Sequence, residues 1–403
     1  MQFGLALAAV AVVVALLIVA LGGDEDEEVP GGVREVAAES GIDDVTHTWG
    51  ADVGDFTGNG WPDIVLPRHK RGIKLLLNRG GRFEEVTNDR LVGYEKQADR
   101  HHCVFGDVNV DDRPDFLCTM GGFQGKAPSF NELWMQQDDG SFVNRAREYG
   151  VEDKWGRGRK AAFVDANGDR WPDLYLTNEY PRQDGQRSLN RLLINERGER
   201  FRNAPEFGLE AELGSLDLTT ADFNADGKDD IILCDQKGDL RFFENVDQAG
   251  FEENPDRLEG PKGCAMVRLG DVGGSPEPDL VWLRNEGVDI SHWENGKFVH
   301  KERHDVEYGR DIALGDIDGD DTLDVYVLRT KPRENLADQL LYLRDDGDRV
   351  VRADAPNSTE GFGHRVEALD FDGNGRDDFF VMNGKHTVKG PLELIASFPE
   401  PRD

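Results

Sequence analysis

The sequence predicts an all-β protein that folds as a seven-bladed β-propeller, preceded by one N-terminal hydrophobic helix. Three observations lead to this prediction. A nine-residue acidic motif recurs seven times at intervals of 45 to 58 residues, a period typical of propellers and other repeat architectures. Short strand-like runs flank each motif. The last repeat lacks one strand, and a segment near the N-terminus has the form of that strand.

An apolar segment, residues 3–23, precedes the repeats and contains no charged side chain. A helix of this length spans the ~30 Å hydrocarbon core of a bilayer. Only Met1 and Gln2 precede the segment, and an acidic linker, residues 24–32, follows it. Because a cleaved signal peptide normally begins with a basic region, we favour an uncleaved signal anchor, with a cleaved signal peptide as the alternative. Both interpretations place residues 33–400, the predicted propeller, outside the cytoplasm.

The charge balance argues against one class of partner. The 403-residue chain carries 80 acidic and 47 basic side chains, for a formal net charge of −33. A nucleic-acid-binding surface has to neutralise phosphates with Lys and Arg, so we expect no nucleic-acid partner. Hydrophobic residues make up 38% of the chain, which is enough for a packed core and too many for a disordered acidic tail.

The acidic motif has the composition of a calcium-binding loop. Its seven copies read DFTGNGWPD, DVNVDDRPD, DANGDRWPD, DFNADGKDD, DVGGSPEPD, DIDGDDTLD and DFDGNGRDD. Side-chain oxygens at positions 1, 3, 5 and 9 and a backbone carbonyl at position 7 are the hard ligands that Ca²⁺ prefers. An EF-hand would need Glu at position 12 and flanking helices. Position 12 is instead aliphatic or Cys in the six best copies, and the flanks are strand-like.

Six of the seven loops are therefore predicted to hold one structural Ca²⁺ each. The predicted ligands, loop by loop, are Asp55, Thr57, Asn59, Trp61 and Asp63; Asp107, Asn109, Asp111, Arg113 and Asp115; Asp165, Asn167, Asp169, Trp171 and Asp173; Asp222, Asn224, Asp226, Lys228 and Asp230; Asp316, Asp318, Asp320, Thr322 and Asp324; and Asp370, Asp372, Asn374, Arg376 and Asp378. Loop five has Gly273 and Ser275 at positions 3 and 5, and we expect it to hold no metal. The alternative is that the loops are metal-free turns rich in Asp, Asn and Gly.

The remainder of each repeat supplies two more strands. Segments such as KLLLNRGGRFEEVT and RLLINERGERFRNA follow the loops, and four short antiparallel strands per unit describe a propeller blade. The last unit ends with PLELIASF and has no fourth strand, whereas VREVAAESGI, beginning at Val33, has the form of the missing one. Pairing of these two segments would close the ring and remove its exposed edge strands.

These repeats resemble the FG-GAP or VCBS family found in integrin α-subunit propellers. The combination of ADFNADGKDD with NRLLINERGERF is also similar to that in proteins related to cartilage acidic protein. The family motif carries over to loops two, three, four, six and seven, and loop one departs from it at Thr57. The resemblance implies a calcium-stabilised propeller that works outside the cell as a binding or adhesion module, and it names no ligand. We expect an extracellular protein or glycan as the partner.

A second candidate site lies five and six positions before several of the loops, where the innermost strand of a blade is expected to begin. Such strands line the axial channel of a propeller, so we expect a polar, locally basic ligand site there. Its predicted members are His101, His102, Arg159, Arg310, His364 and Arg365, with Lys160, Asp217 and Asp311 beside them. The alternative is that these residues form salt bridges between neighbouring blades.

This polar ring leaves an enzymatic function as the alternative to a binding module. A polysaccharide lyase or hydrolase would use His101 and His364 as acid and base. However, the sequence contains no G-x-S-x-G, P-loop or HExxH motif. We therefore favour the binding module and assign no catalytic residue.

The four cysteines permit two disulfides. Cys103 and Cys118 flank the second loop on strands that should be neighbours, so they form either a disulfide, as expected in an oxidising compartment, or two buried thiols. Cys234 and Cys264 could join adjacent blades, which their spacing alone does not establish.

Overall fold

The computed structural model describes residues 32–397, apart from residues 43, 47, 123–127, 180–188, 210–213, 248–249, 275–276, 285–286, 332–336, 344–348, 354–362 and 386–387. The predicted N-terminal helix, residues 3–23, lies outside the described residues, as does nearly all of the acidic linker. Within the described residues, no helix has both the length and the apolar character needed to cross a membrane.

The first half of the described chain contains three complete blades. Strands β1 (Val33–Glu35) and β2 (Val45–Thr46) precede them. Blade 1 consists of β3 (Asp52–Gly54), β4 (Asp63–Arg68), β5 (Gly72–Asn78) and β6 (Phe83–Glu85). Blade 2 consists of β7 (Leu91–Val92), β8 (Arg100–Gly106), β9 (Asp115–Met120), β10 (Glu132–Gln136) and β11 (Phe142–Asn144). Blade 3 consists of β12 (Gly158–Val164), β13 (Asp173–Asn178), β14 (Arg191–Asn195) and β15 (Phe201–Asn203).

The second half contains the remaining four. Blade 4 consists of β16 (Ser215–Ala221), β17 (Asp230–Asp235), β18 (Leu240–Asp247) and β19 (Gly250–Glu253). Blade 5 consists of β20 (Leu258–Glu259), β21 (Met266–Gly270), β22 (Asp279–Arg284), β23 (Gly287–Glu294) and β24 (Lys297–Asp305). Blade 6 consists of β25 (Gly309–Gly315), β26 (Asp324–Arg329), β27 (Gln339–Leu343) and β28 (Arg349–Ala353). Blade 7 contributes β29 (Gly363–Leu369), β30 (Asp378–Lys385) and β31 (Val388–Ser397).

In the described part of the chain, the helices with defined bounds are single turns between blades. Helix α1 (Thr87–Arg90) follows blade 1, and α2 (Ala146–Tyr149) follows blade 2. Short 3-10 turns at Pro205–Phe207 and Pro255–Arg257 follow blades 3 and 4. These turns lead each outermost strand back to the axis for the next blade.

The predicted closure of the ring is confirmed. Within each blade the four main strands pair antiparallel in chain order, while β7 and β20 add parallel to the outermost strands of blades 2 and 5. The innermost strands of successive blades contact one another around the axis. The fourth strand of blade 7 is β1, which pairs antiparallel with β31 from Val33 opposite Ser397 to Glu35 opposite Ile395. The two ends of the described chain therefore share one sheet, and the protein is a seven-bladed β-propeller.

Seven hydrophobic clusters form the core, one at each interface between neighbouring blades. The second strands, such as β9 and β13, are buried along their whole length. Because each blade is covered on both faces by its neighbours, its middle strands are continuously apolar rather than alternating. The cluster between blades 7 and 1 packs Leu394 and Phe380 against Ile64 and Leu66, so the closing interface is built like the other six.

Both cysteine pairs form disulfides. Cys103 and Cys118 join β8 to β9 within blade 2. Cys234 joins β17 of blade 4 to Cys264, which lies just before β21 of blade 5. The second bond therefore connects adjacent blades covalently, and no free cysteine remains among the described residues.

Substitution of a residue in the closing interface tests how much that interface contributes to the stability of the ring. Leu394 is fully buried in the cluster between blades 7 and 1, so we expect Leu394→Ala to lower the free energy of unfolding by about 2–5 kcal/mol. Val92, at 57% exposure, provides the control, because Val92→Ala removes little buried area. Chemical denaturation followed by circular dichroism measures both changes. A Leu394→Ala change as small as the control's would contradict the closure described here.

Candidate functional site

The two predicted sites lie on opposite faces of the propeller. Each acidic loop connects the first strand of a blade to the second, so all seven loops lie on one face, which we call the loop face. The innermost strands begin on the other face, which we call the entry face. The residues of the predicted polar ring therefore lie at the opposite end of the axial channel from the acidic loops.

The Asp at position 9 connects its loop to its own blade through hydrogen bonds. In loop one, the Asp63 carboxylate accepts hydrogen bonds from the backbone N–H groups of Phe56, at 3.1 Å, and Asn78, at 2.8 Å. The first donor is position 2 of the loop, and the second ends the third strand of the blade. The same pair of bonds recurs at Asp115, Asp173 and Asp378.

Positions 1 and 5 fold the loop around a common centre. The two oxygens of Asp55 accept the backbone N–H groups of Asn59, at 3.1 Å, and Gly60, at 2.7 Å, while the Asn59 side-chain oxygen accepts that of Trp61. Loops two, three, four, six and seven repeat these bonds. Positions 4 and 6 have positive φ in all six loops. At Val110 this φ of 54° is strained for a β-branched side chain, so the surrounding bonds hold the loop against it.

Carboxylate oxygens converge inside these loops. In loops six and seven, one oxygen from each of positions 1, 3 and 9 lies within 4.8 Å of the others. Burial, reinforced by neighbouring carboxylates, raises the pKa of Asp324 and of Asp378 to about 8. The Oδ1 atom of Asp318 and the Oδ2 atom of Asp230 are buried without a hydrogen-bond partner in the described part of the chain. Such oxygens fit a hard divalent cation.

Basic side chains at position 7 reach the acid at position 5 in two loops. The Arg113 guanidinium donates to Asp111 in loop two. In loop four, the Lys228 ammonium lies 3.4 Å from the Asp226 carboxylate and donates to the Asn245 carbonyl at 2.7 Å. These cations offset part of the negative charge that a metal would otherwise neutralise, so loops two and four are electrostatically the weaker candidates.

Loop five holds an imidazole where the other loops have a position-3 side chain. The His292 Nδ1 lies 3.3 Å from the Asp279 Oδ1. A Cβ atom added at Gly273 would lie 2.5 Å from the His292 Cε1, so only Gly leaves room for the ring. The sequence indicated that Gly273 lacks a ligand oxygen but did not identify His292 as its replacement.

Amide side chains connect loops seven, one, two and three to the next blade, and the sequence analysis did not assign them a role. The Asn78 Nδ2 donates to the Phe371 carbonyl at position 2 of loop seven, at 2.8 Å. Three further residues at the end of a third strand make the same bond to the preceding loop: Gln136 to Phe56, Asn195 to Val108 and Asn245 to Ala166. In the sequence, these residues are recognisable as the amide that ends each third-strand segment LLLN, LWMQ, LLIN and FFEN.

Trp49 organises the predicted ring on the entry face. Its indole stacks on His101 with ring centres 5.3 Å apart and meets His364 edge-on at 4.5 Å. The Arg159 guanidinium lies 5.8 Å from the indole centre and contacts the His101 Nδ1. Sequence analysis did not select Trp49, because it precedes the first repeat.

Arg365 and Arg310 also contact this group of side chains around Trp49. Arg365 donates from Nε to the Trp49 carbonyl at 3.0 Å. The Nη2 of Arg310 lies 3.4 Å from the His364 Nε2. Five of the six predicted ring residues therefore meet around Trp49, and we call Trp49, His101, Arg159, Arg310, His364 and Arg365 the Trp49 cluster.

The remaining ring residues lie deeper in the channel, where ion pairs connect the blades. Lys160 contacts Asp217 at 2.7 Å, and Arg268 contacts Asp217 at 2.6 Å and Asp311 at 3.1 Å. Blades 3 to 6 are connected in this way, as the salt-bridge interpretation expects. His102 also faces this layer, and burial together with Lys160 lowers its pKa to about 3.

The sequence contains a recognised repeat. The FG-GAP-like repeat family matches residues 55–118 and 165–233, which include loops one to four. Human cartilage acidic protein 1 is 23% identical over 396 residues, an alignment that covers 88% of this chain and 57% of that protein. A T-cell immunomodulatory protein homolog of Plasmodium yoelii yoelii is 23% identical over 268 residues, covering 60% of this chain and 37% of the relative. The chain therefore spans less than two thirds of the length of these relatives.

Solved structures share the fold at low sequence identity. The BBS1N chain in complex with ARL6DN superposes with a TM-score of 0.53 at 11% identity, covering 90% of this chain and 95% of that one. An Agrocybe aegerita lectin that recognises non-reducing terminal N-acetylglucosamine superposes with a TM-score of 0.50 at 15% identity, covering 83% and 85%.

Fold, loops and sequence relatives define the class of this protein as a β-propeller built from FG-GAP-type repeats. The chain contains FG-GAP-like repeats and has cartilage acidic protein 1 and a T-cell immunomodulatory protein homolog among its relatives, which confirms the resemblance identified from its motifs.

The acidic loops make a testable prediction about pH. Without metal, the position-9 pKa values of about 7 to 8 lie well above the unfolded value of about 4. The folded state binds these protons more tightly than the unfolded state does. Lowering the pH through the folded-state pKa values therefore stabilises the folded state, and raising the pH removes that stabilisation. In EDTA we expect the melting temperature to rise from about pH 8.5 to about pH 5.5.

Differential scanning calorimetry in EDTA and in saturating calcium provides the comparison. A bound ion neutralises the same carboxylates, so the calcium curve should change less over this range. Equal pH dependence in the two series would contradict the prediction.

Proposed function

We propose that this protein is an extracytoplasmic, membrane-anchored, calcium-binding propeller that binds a protein or glycan partner. The observation that carries the proposal is the convergence of buried carboxylate oxygens in loops whose backbone is already folded around them. Six such loops follow one design. Ca²⁺ accepts six to eight oxygen ligands and would offset the burial, and then the repulsion between carboxylates, that raise the position-9 pKa values.

In this proposal calcium is structural. The loops contact one another as well as their own blades: Asp377, at position 8 of loop seven, accepts the N–H of Asp316 in loop six at 2.9 Å and donates its own N–H to the Asp316 carbonyl at 2.7 Å. Asp229 of loop four accepts the N–H of Asp165 in loop three in the same way. An ion that fixes one loop would therefore also support the junction with the preceding blade.

Three observations support an extracytoplasmic location. All four cysteines are in disulfides, which persist in oxidising compartments. The apolar segment of residues 3–23 has the length and composition of a membrane anchor. One group of relatives is named for cartilage, a tissue that consists largely of extracellular matrix. Within this proposal, calcium rigidifies the loop face and the partner binds at the entry face.

Thermal melts of loop variants test the calcium proposal. Asp318 lies at position 3 of loop six, and burial with the neighbouring Asp320 and Asp316 raises its pKa to about 6. Removal of this carboxylate relieves repulsion when metal is absent. We therefore expect Asp318→Ala to leave the melting temperature in EDTA unchanged or slightly higher, and to reduce the rise produced by ~0.1–1 mM calcium.

Asp271→Ala in loop five is the matched control, because loop five should hold no ion. It should leave the calcium-induced rise as large as in the wild type. The proposal fails if calcium does not raise the melting temperature of the wild type, or if both variants reduce the rise equally.

A further inference from the structure

We propose that the Trp49 cluster is an anion-recognition site that binds the carboxylate of an acidic glycan. This inference rests on the proposed binding function and deepens it by naming the class of ligand and the groups that would contact it. It concerns the entry face only and requires no metal.

Three guanidinium groups from different blades converge at this mouth of the channel. Arg159 belongs to blade 3, Arg310 to blade 6 and Arg365 to blade 7. Burial, and then the charges of Arg157 and Arg365, lower the pKa of Arg159 to about 10. Within the described part of the chain Arg310 forms no ion pair, and its polar contact is with the His364 imidazole. Arg159 pairs with Glu179, and Arg365 lies 3.8 Å from Asp311. Arg310 is therefore the guanidinium of the three whose charge an added anion would balance.

The cluster also includes a possible metal site, but its geometry opposes a metal ion. Ligand atoms of His69, Asp99 and His101 lie within 4.8 Å of one another. A histidine that binds metal normally donates its other ring N–H to an acceptor. Here the Nδ1 of His101 contacts the Arg159 guanidinium, which only donates. The His101 Nδ1 therefore accepts the hydrogen bond from Arg159. The Arg159 guanidinium occupies the position where a metal-binding histidine would need a hydrogen-bond acceptor.

The guanidiniums suit a narrow carboxylate. Arg presents a planar fork that matches the two oxygens of a carboxylate. The Arg159 and Arg365 side chains are only 22% and 20% exposed, so a flat protein surface does not reach them. A carboxylate that projects from a sugar ring or chain end is narrow enough to enter.

Exposed aromatic rings lie in connections on the entry face. Phe130 precedes β10 and is 44% exposed, while Trp155 and Tyr308 precede β12 and β25 and are each 41% exposed. The backbone bond from the Ser129 N–H to the Lys154 carbonyl, at 3.1 Å, brings the Phe130 and Trp155 segments together. Exposed apolar rings mark interaction surfaces, and the apolar faces of sugar rings stack on them. A recessed cationic centre on a face that also carries exposed aromatic rings fits an acidic glycan better than an acidic peptide.

Calorimetric titration of the full-length chain in detergent and saturating calcium tests the inference. The probe is a hexasaccharide of alternating glucuronic acid and N-acetylglucosamine, and its fully methyl-esterified form is the neutral match. We expect saturable binding of the acid, at least about 10-fold weaker binding of the ester, and a similar loss on Arg159→Gln. Arg241→Gln is the control, since Arg241 pairs with Glu253 on the outer strands of blade 4.

The loss of binding in Arg159→Gln supports the inference only if the variant melts at the wild-type temperature. Arg310→Gln gives a second test, at a side chain without an ion pair in the described residues. Equal binding of acid and ester, tighter binding of polyglutamate, or stoichiometric zinc binding that is lost in His69→Ala would overturn the inference. If the melt responds to calcium but the hexasaccharide does not bind, the inference fails and the proposed calcium-binding module stands. If the hexasaccharide binds but calcium does not change the melt, the inference about the Trp49 cluster stands and the proposed calcium-binding module fails.

Discussion

The architecture depends on one buried carboxylate per blade. The Asp at position 9 starts the second strand and accepts hydrogen bonds from the loop before it and from the end of the third strand. Three of the four strands of a blade are thereby fixed by a single side chain. This arrangement buries a charge, and a buried carboxylate is costly unless the charge is compensated or the group is protonated. A cation bound in the loop is the compensation that we propose, and the raised pKa values express the cost of its absence.

Two separate faces follow from the direction of the innermost strands. Their ends carry the acidic loops, which connect one blade to the next through Asn and Gln side chains and through the Asp at position 8. Their beginnings carry the Trp49 cluster, beside a layer of ion pairs that connects the blades internally. The stabilising function that we propose for one end and the recognition function that we propose for the other therefore involve different residues.

Most of the fold was predictable because the repeat is local. Loop, flanking strands and second hairpin lie within about fifty consecutive residues, and the incomplete last repeat indicated that Val33–Glu35 would close the ring. The polar ring was also predicted by position, since the start of each innermost strand is set by the loop that follows it. His102 and Asp217 nevertheless lie in the deeper ion-paired layer, and Arg268 was not selected at all.

Long-range contacts account for what the sequence did not reveal. Trp49 precedes the repeats, and the rings that it contacts, His101 and His364, belong to blades 2 and 7. His292 enters loop five from the third strand of its blade, and only the three-dimensional arrangement shows that Gly273 provides the space. Native mass spectrometry in calcium counts the ions bound to each chain. We expect saturation at six ions per chain, one for each loop other than loop five. A count of zero, or of seven with an ion in loop five, would contradict it.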